Sequence, residues 1–155
     1  MEERLRIKVA VFLILEKDGK YLFSQRKNTG YRDGFYTVPS GHVDPGELPV
    51  AAMVREAGEE IHISLDQKDL DFVHVLFQQD SYIDFYFKAR VWSGEPINGE
   101  PDKCSDLRWA TLDELGELVV PKVAHALLAI ERGVLYSEID KEEPLSLFAE
   151  EGERR

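Results

Sequence analysis

Four glutamates, an arginine and a glycine recur at fixed intervals in GHVDPGELPVAAMVREAGEEIHI: Gly41, Glu47, Arg55, Glu56, Glu59 and Glu60. Each residue of a helix turns the chain by about 100°, so with Glu56 at zero, Glu59 lies near −60° and Glu60 near +40°. The three carboxylates therefore share one face, well away from the apolar stripe. Like charges at (i, i+4), here Glu56 and Glu60, cost a few tenths of a kcal/mol. Arg55 and Lys68 are the only cations nearby in the chain. A solvated acidic face is the plain explanation of such a cluster. The chemical one is a hard divalent cation, which takes oxygen ligands; Mg²⁺ is typically held by one or two carboxylates together with waters and phosphate oxygens.

The elements that must position these groups follow from pattern. Leu48–Ile61 is the helix, with Val50, Val54, Ala57 and Ile61 as its core stripe. Upstream, Val9–Leu15 and Tyr21–Gln25 read as the two strands of a hairpin turning at Lys17-Asp18-Gly19-Lys20, with Arg26 at its end. Asn28–Gly34 is a loop. FYTVPSGHV is a short extended piece broken by Pro39 and Gly41. Asp71–Gln78 and Tyr82–Trp92 are paired strands, Ser93–Asp106 an acidic Gly/Pro loop, and Leu107–Ala110 a short strand. Thr111 and Glu114 form a capping box. Pro121–Arg132 is a late helix closed by Gly133. From Ser137 the chain is acidic and is expected to be loosely ordered at its end. Strands with interspersed helices imply an α/β class in one domain, residues 1–140, followed by an acidic tail, residues 141–155.

Composition limits the partners. The chain has 155 residues, enough for one domain, and 43% are hydrophobic, enough for a core. A net charge of −11 disfavours a nucleic-acid polymer or an anionic membrane. It does not disfavour a phosphorylated small molecule that binds with a metal. One cysteine, Cys104, leaves no intrachain disulfide and is read as a packed thiol. No signal-peptide core and no membrane-length apolar run is present, so a cytoplasmic location is expected.

The spacing of Gly41, Glu47, Arg55, Glu56, Glu59 and Glu60, with apolar Ala57 and Ile63, resembles the Nudix box, and the chain is similar to Nudix hydrolases. Six such matches by accident have odds of roughly one in ten million per start position. One position departs: the box's second glycine is His62 here. Gly58, inside the helix, costs about 1 kcal/mol relative to Ala, and close approach of another segment would account for it. The resemblance implies the Nudix fold, an α/β/α sandwich around a mixed β-sheet. It implies hydrolysis, dependent on Mg²⁺ or Mn²⁺, of a nucleoside diphosphate linked to a further group. It also implies that Glu56 and Glu60 hold the metal, with Glu59 close and the Gly41 carbonyl adding a ligand. Arg55 then orients the carboxylates, Glu47 fixes the loop to the helix, and Arg26 binds phosphate. His42 is placed to hydrogen-bond a phosphate. The general base is either a box glutamate or a carboxylate of the later loop, where Glu100 and Asp102 rank ahead of Asp106. His74 and His125 sit in apolar patterns and read as structural. A homodimer is common among such proteins.

Subclass signals lie beyond the box. The segment EPDKCSDLRWATLDEL resembles the nucleoside triphosphate pyrophosphohydrolase branch, which favours an NTP or dNTP cleaved to a monophosphate and pyrophosphate, with an oxidised purine nucleotide among the candidates. PSGH at the start of the box keeps dinucleoside polyphosphates in play. FQQDSY lacks the proline typical of ADP-ribose hydrolases, which makes ADP-ribose or a nucleotide sugar an alternative only. Relatives that read an oxidised purine carry two Asp after a proline, whereas here Pro121 precedes Lys122-Val123. A non-catalytic nucleotide-binding module is the remaining alternative; retention of all the box acids weighs against it. Base, linked group and physiological role are not written in the sequence.

Overall fold

The computed structural model describes residues 2–141. The acidic tail assigned to residues 141–155 therefore lies outside the described residues, apart from Lys141. In chain order the strands and helices are β1 (Lys8–Ile14), β2 (Glu16–Lys17), β3 (Lys20–Arg26), β4 (Tyr36–Thr37), β5 (Ser40–His42), α1 (Pro49–Ile61), β6 (Leu70–Gln78), β7 (Tyr82–Ala89), β8 (Cys104–Ala110), α2 (Leu112–Leu115), α3 (Pro121–Glu131) and β9 (Tyr136–Ile139).

KVAVFLI reads as an almost unbroken apolar run because β1 is covered on both faces. Val11 and Leu13 pack with Ala52, Met53, Ala57 and Ile61 of α1. Ala10, Phe12 and Ile14 pack on the opposite face with Val123, Ala124 and Leu127 of α3. β1 sits inside a five-stranded mixed sheet of order β5-β1-β7-β6-β9. It runs parallel to β7 and antiparallel to β5. β3 pairs antiparallel with β2, β4 and β8 in a second sheet. Helices on either side of a mixed sheet make the α/β architecture of the Nudix fold.

The expected hairpin of β1 with β3 exists only at its tip. Glu16 pairs with Tyr21 and Lys17 with Lys20 around Asp18 and Gly19, both at positive φ. After Leu15 the chain leaves the first sheet for the second, because a strand buried on both faces takes its neighbours from distant segments. The core stripe of α1 is also shifted. Ala52 and Met53 are fully buried with Ala57 and Ile61, while Val50 and Val54 are partly exposed at its margin. β8 begins at Cys104, inside the segment read as loop, and β7 ends at Ala89, short of Trp92. Ser137 itself lies in a strand: β9 runs parallel to β6, with Leu76 opposite Ser137, and the chain end expected to be loosely ordered lies outside the described residues. His74 is wholly buried and is bonded at both ring nitrogens, to the Val134 carbonyl (2.7 Å) and Ser137 Oγ (2.7 Å).

Candidate active site

The turn Asp44-Pro45-Gly46-Glu47 delivers the chain into α1. The Glu47 N–H donates to the Asp44 carbonyl (3.0 Å), and Pro49 opens the helix, where its missing N–H costs nothing. Glu47 and Arg55 then form a two-pronged pair, Nε to Oε2 at 2.8 Å and Nη2 to Oε1 at 2.9 Å. The Arg55 hydrogen bond holds the Glu47 carboxyl down at about 2.

The same guanidinium reaches four further groups. Nη1 donates to Glu56 Oε1 (2.8 Å) and Glu59 Oε2 (3.2 Å), while Nη2 donates to the His42 carbonyl (3.0 Å) and approaches Asp44 Oδ2 (3.4 Å). Arg55 thus ties the helix face to the end of β5. Gly41 lies beneath this arrangement, and a Cβ there would overlap the Glu56 side chain. Its lack of a side chain lets the Glu56 carboxylate rest on the β5 backbone.

Glu60 sits one turn on, where Oε2 accepts from the Ser40 N–H (3.1 Å). Burial pushes its carboxyl well above the usual range, and the charges of Glu56 and Glu100 add to the rise. Burial likewise raises Glu56, against the pull of Arg55. Two partly buried carboxylates, both raised by burial, therefore lie on one face of α1.

The later loop is fastened to the end of α1. Gly99 N–H donates to the Glu60 carbonyl (2.8 Å) and Ile97 N–H to the Ile61 carbonyl (3.0 Å). His62, in place of the box glycine, takes the left-handed conformation at φ 55° and ends the helix as a glycine would. A Cβ on Gly99 would meet the His62 ring at 2.5 Å and would overlap the Glu59 carbonyl. Glu100 follows this seat, and its charge adds to the rise of the Glu56 and Glu60 carboxyls. Asp102 is exposed on the far part of the loop, where its carbonyl accepts from Asn28 Nδ2 (3.2 Å). Asp106 accepts from the Tyr36 hydroxyl (2.9 Å).

Two other residues singled out from sequence are partly engaged elsewhere. Arg26 donates from Nε to the Tyr31 carbonyl (2.7 Å) and from Nη2 to Thr29 Oγ1 (3.1 Å), although its charge still reaches Glu60. The His42 ring points across the sheet from the carboxylates, with Nε2 2.8 Å from the Tyr82 hydroxyl. Cys104 is partly buried, and burial pushes its thiol up. Gly58 is exposed, and the nearest atom to a Cβ there is the Ile63 carbonyl at 3.9 Å, so no close-packed segment explains it.

The donor set suits a hard divalent cation: carboxylate oxygens, a bare backbone at Gly41, and partly buried acids in excess of the one arginine. No three acidic, histidine or cysteine side chains among the described residues form a finished metal cage as they stand. The fit is one of ligand chemistry and charge. Asp84 and Lys122 form a buried pair on the other face of the sheet that sequence inspection passed over. Its one signal was an acid among the inward residues Tyr82, Asp84 and Tyr86 of an apolar strand.

Comparison with known proteins gives the same picture. A family model described as the NUDIX domain matches residues 4–130. An ADP-ribose pyrophosphatase of Methanocaldococcus jannaschii is 46% identical over 116 residues, covering 75% of this chain and 66% of that protein. An 8-oxo-dGTP diphosphatase of Proteus vulgaris is 28% identical over 96 residues, covering 61% of this chain and 86% of that protein. Among solved structures, a MutT NUDIX hydrolase from Burkholderia pseudomallei superposes with a TM-score of 0.72 at 27% identity, covering 79% of this chain and 97% of that one.

Proposed function

The chain belongs to the NUDIX domain family, and from that premise we propose that it is a Mg²⁺- or Mn²⁺-dependent pyrophosphohydrolase that cleaves a nucleoside triphosphate, natural or modified, to the monophosphate and pyrophosphate. The observation that carries this is the carboxylate face of α1, held by Arg55 against the bare backbone of Gly41. Similarity to proteins named 8-oxo-dGTP diphosphatase supports the triphosphate substrate.

In this proposal Glu56 and Glu60, with Glu59 and the Gly41 carbonyl, hold the divalent ion. When bound, the ion neutralises phosphate oxygens and lowers the pKa of water. Arg55 touches no phosphate; it fixes the carboxylates by charge-assisted hydrogen bonds. Water adds to a phosphorus of the anhydride, and the bridging oxygen leaves on the other phosphate. Glu100 takes the water's proton. Glu59 is engaged by Arg55, whose Nη1 donates to its Oε2 (3.2 Å), and Asp102 stands further along the loop. Arg26 assists the phosphates from the end of β3.

A second substrate has one specific observation in its favour: the 46% identity to the protein named ADP-ribose pyrophosphatase. Incubation with Mg²⁺ and a panel of NTPs, dNTPs, 8-oxo-dGTP, ADP-ribose and dinucleoside polyphosphates decides between them. Pyrophosphate from a triphosphate is the expected product. Cleavage of ADP-ribose alone would replace the substrate and keep the chemistry. Metal-dependent binding without turnover of any compound would overturn catalysis.

A further inference from the structure

Residues 27–34, the loop between β3 and β4, are all exposed, yet the loop is closely tied to itself. At its neck the Arg26 N–H donates to the Phe35 carbonyl (2.8 Å) and the Gly34 N–H to the Arg26 carbonyl (2.8 Å). Inside it the Asp33 carboxylate accepts from three donors: the Thr29 hydroxyl (2.5 Å), the Thr29 N–H (3.0 Å) and the Gly30 N–H (3.0 Å). These bonds, that of the Thr29 hydroxyl first, hold the Asp33 carboxyl below its usual range. Asn28, Gly30, Arg32 and Gly34 stand at positive φ. For Arg32, at 51°, that is a strained conformation, of the kind that persists only where surrounding bonds impose it.

What these bonds hold is the Arg26 side chain. Its Nε donates to the Tyr31 carbonyl (2.7 Å) and its Nη2 to Thr29 Oγ1 (3.1 Å). Thr29 Oγ1 has one proton to give, and Asp33 Oδ1 at 2.5 Å takes it ahead of the Tyr31 carbonyl at 3.0 Å. The charge of Asp33 thereby makes Oγ1 a stronger acceptor for the guanidinium. The Tyr31 ring covers the group, its centre 5.3 Å from Arg26 Cζ. Nη1 has no hydrogen-bond partner among the described residues.

Arg26 needs such a restraint because its charge is felt at Glu60, which like Glu56 is raised by burial. An unrestrained arginine would be drawn to those carboxylates. Bonded to them it would stand where a divalent ion belongs, and the phosphates would lose a cation. The loop instead takes one edge of the guanidinium and leaves the remaining nitrogen open.

We propose that Thr29 and Asp33 are positioning residues for the substrate phosphates: they clasp Arg26 apart from the carboxylates of α1 and leave its Nη1 for a phosphate oxygen. Rotamer freedom that a long side chain loses on binding is thus given up already in the free protein. The inference rests on the nucleotide-hydrolase function proposed above and on the phosphate role given there to Arg26.

The test uses Asp33→Asn and Thr29→Val, both close in shape to the natural residues, alone and combined with Arg26→Ala. Melting of each variant establishes that it is folded. The expected result is a KM for the preferred triphosphate raised roughly 5- to 30-fold, with kcat within about two-fold of wild type. In 15N-labelled protein without metal or substrate, the Arg26 Nε–H should give an ordered, slowly exchanging NMR signal in wild type and lose it in both variants. Mn²⁺ affinity, by calorimetry, should fall as Arg26 moves to the carboxylates. Thr29→Ser, which keeps the hydroxyl, should rescue what Thr29→Val loses. In the Arg26→Ala background neither substitution should raise KM further.

Unchanged KM and an unchanged Nε–H signal in folded variants would overturn the proposal. A full KM effect persisting in the Arg26→Ala background would overturn it too, since the two residues would then serve the loop alone. Unchanged Mn²⁺ affinity would overturn the separation from the carboxylates. Failure of wild type to hydrolyse any nucleotide would instead count against the hydrolase. The clasp is then decided by the Nε–H signal and by calorimetric binding of inorganic pyrophosphate. A mobile Arg26 side chain in wild type, or equal pyrophosphate affinity in wild type and Asp33→Asn, would overturn it.

Discussion

A Cβ on Gly41 would occupy the space that the carboxyl carbon of Glu56 fills. The two residues are fifteen positions apart, and a strand end and a helix face meet at that point. The box glycine is therefore there to let a carboxylate lie against backbone.

Gly41→Ala should force Glu56 from its rotamer, at about 0.5–1.5 kcal/mol of stability, because the displaced atoms are the free end of a side chain. Activity should suffer more, by roughly 10–100-fold in kcat, as for loss of ligand support in other metal sites. Denaturant unfolding and steady-state kinetics on one preparation check this. Retained kcat would show that Glu56 does not act from this seat.

Glu60→Gln should lower kcat about 10²–10³-fold. Without metal it should be no less stable than wild type, since it removes a carboxylate whose ionised form burial disfavours. A folded-state carboxyl raised above its ordinary 4.5 binds protons that the unfolded chain has released. That contribution is complete below 4.5 and is lost as pH climbs through the raised value. Urea midpoints in EDTA from about pH 5 to pH 8 should show this fall in wild type and lack it in the variant. Mg²⁺ should raise the wild-type melting temperature by mass action and leave the variant's nearly unmoved.

Gly99→Ala meets a harder obstacle, since the Glu59 carbonyl belongs to the helix backbone and cannot swing aside. The loop must lift from α1, at about 1–3 kcal/mol, carrying Glu100 with it. Loss of both thermal stability and kcat is expected. A variant that melts early but turns over normally would remove Glu100 from the reaction.

Gly58→Ala should do the opposite. A Cβ there meets only the Ile63 carbonyl, at ordinary contact distance, and the position is exposed and helical. A gain of about 0.5–1 kcal/mol follows from the reduced freedom of the unfolded chain. This is a rise of roughly 1–4 °C in melting temperature. Calorimetry should record it with kcat unaltered.

The helix α1, the turn at Asp18-Gly19 and the cap at Thr111 were all legible, because each depends on residues within one or two turns of one another. The reach of β9 was not, since Tyr136–Ile139 becomes a strand only by docking on β6, about sixty residues earlier. The core stripe of α1 was misplaced for a related reason. Periodicity finds an apolar face, but which part of it is buried depends on where β1 and β7 lie.

The sequence alone determined the family, the helix carrying the acids and the face they share, because box spacing and helical pitch are local regularities. Only the tertiary structure decided that the box glycine is a seat for Glu56, and that the charge of Glu100 is felt at the Glu56 and Glu60 carboxyls. It alone turned the His42 ring to the far side of the sheet, and it alone joined Asp84 to Lys122. These are contacts between segments far apart in the chain. They are set by which faces must be buried together, and no window of sequence contains both partners.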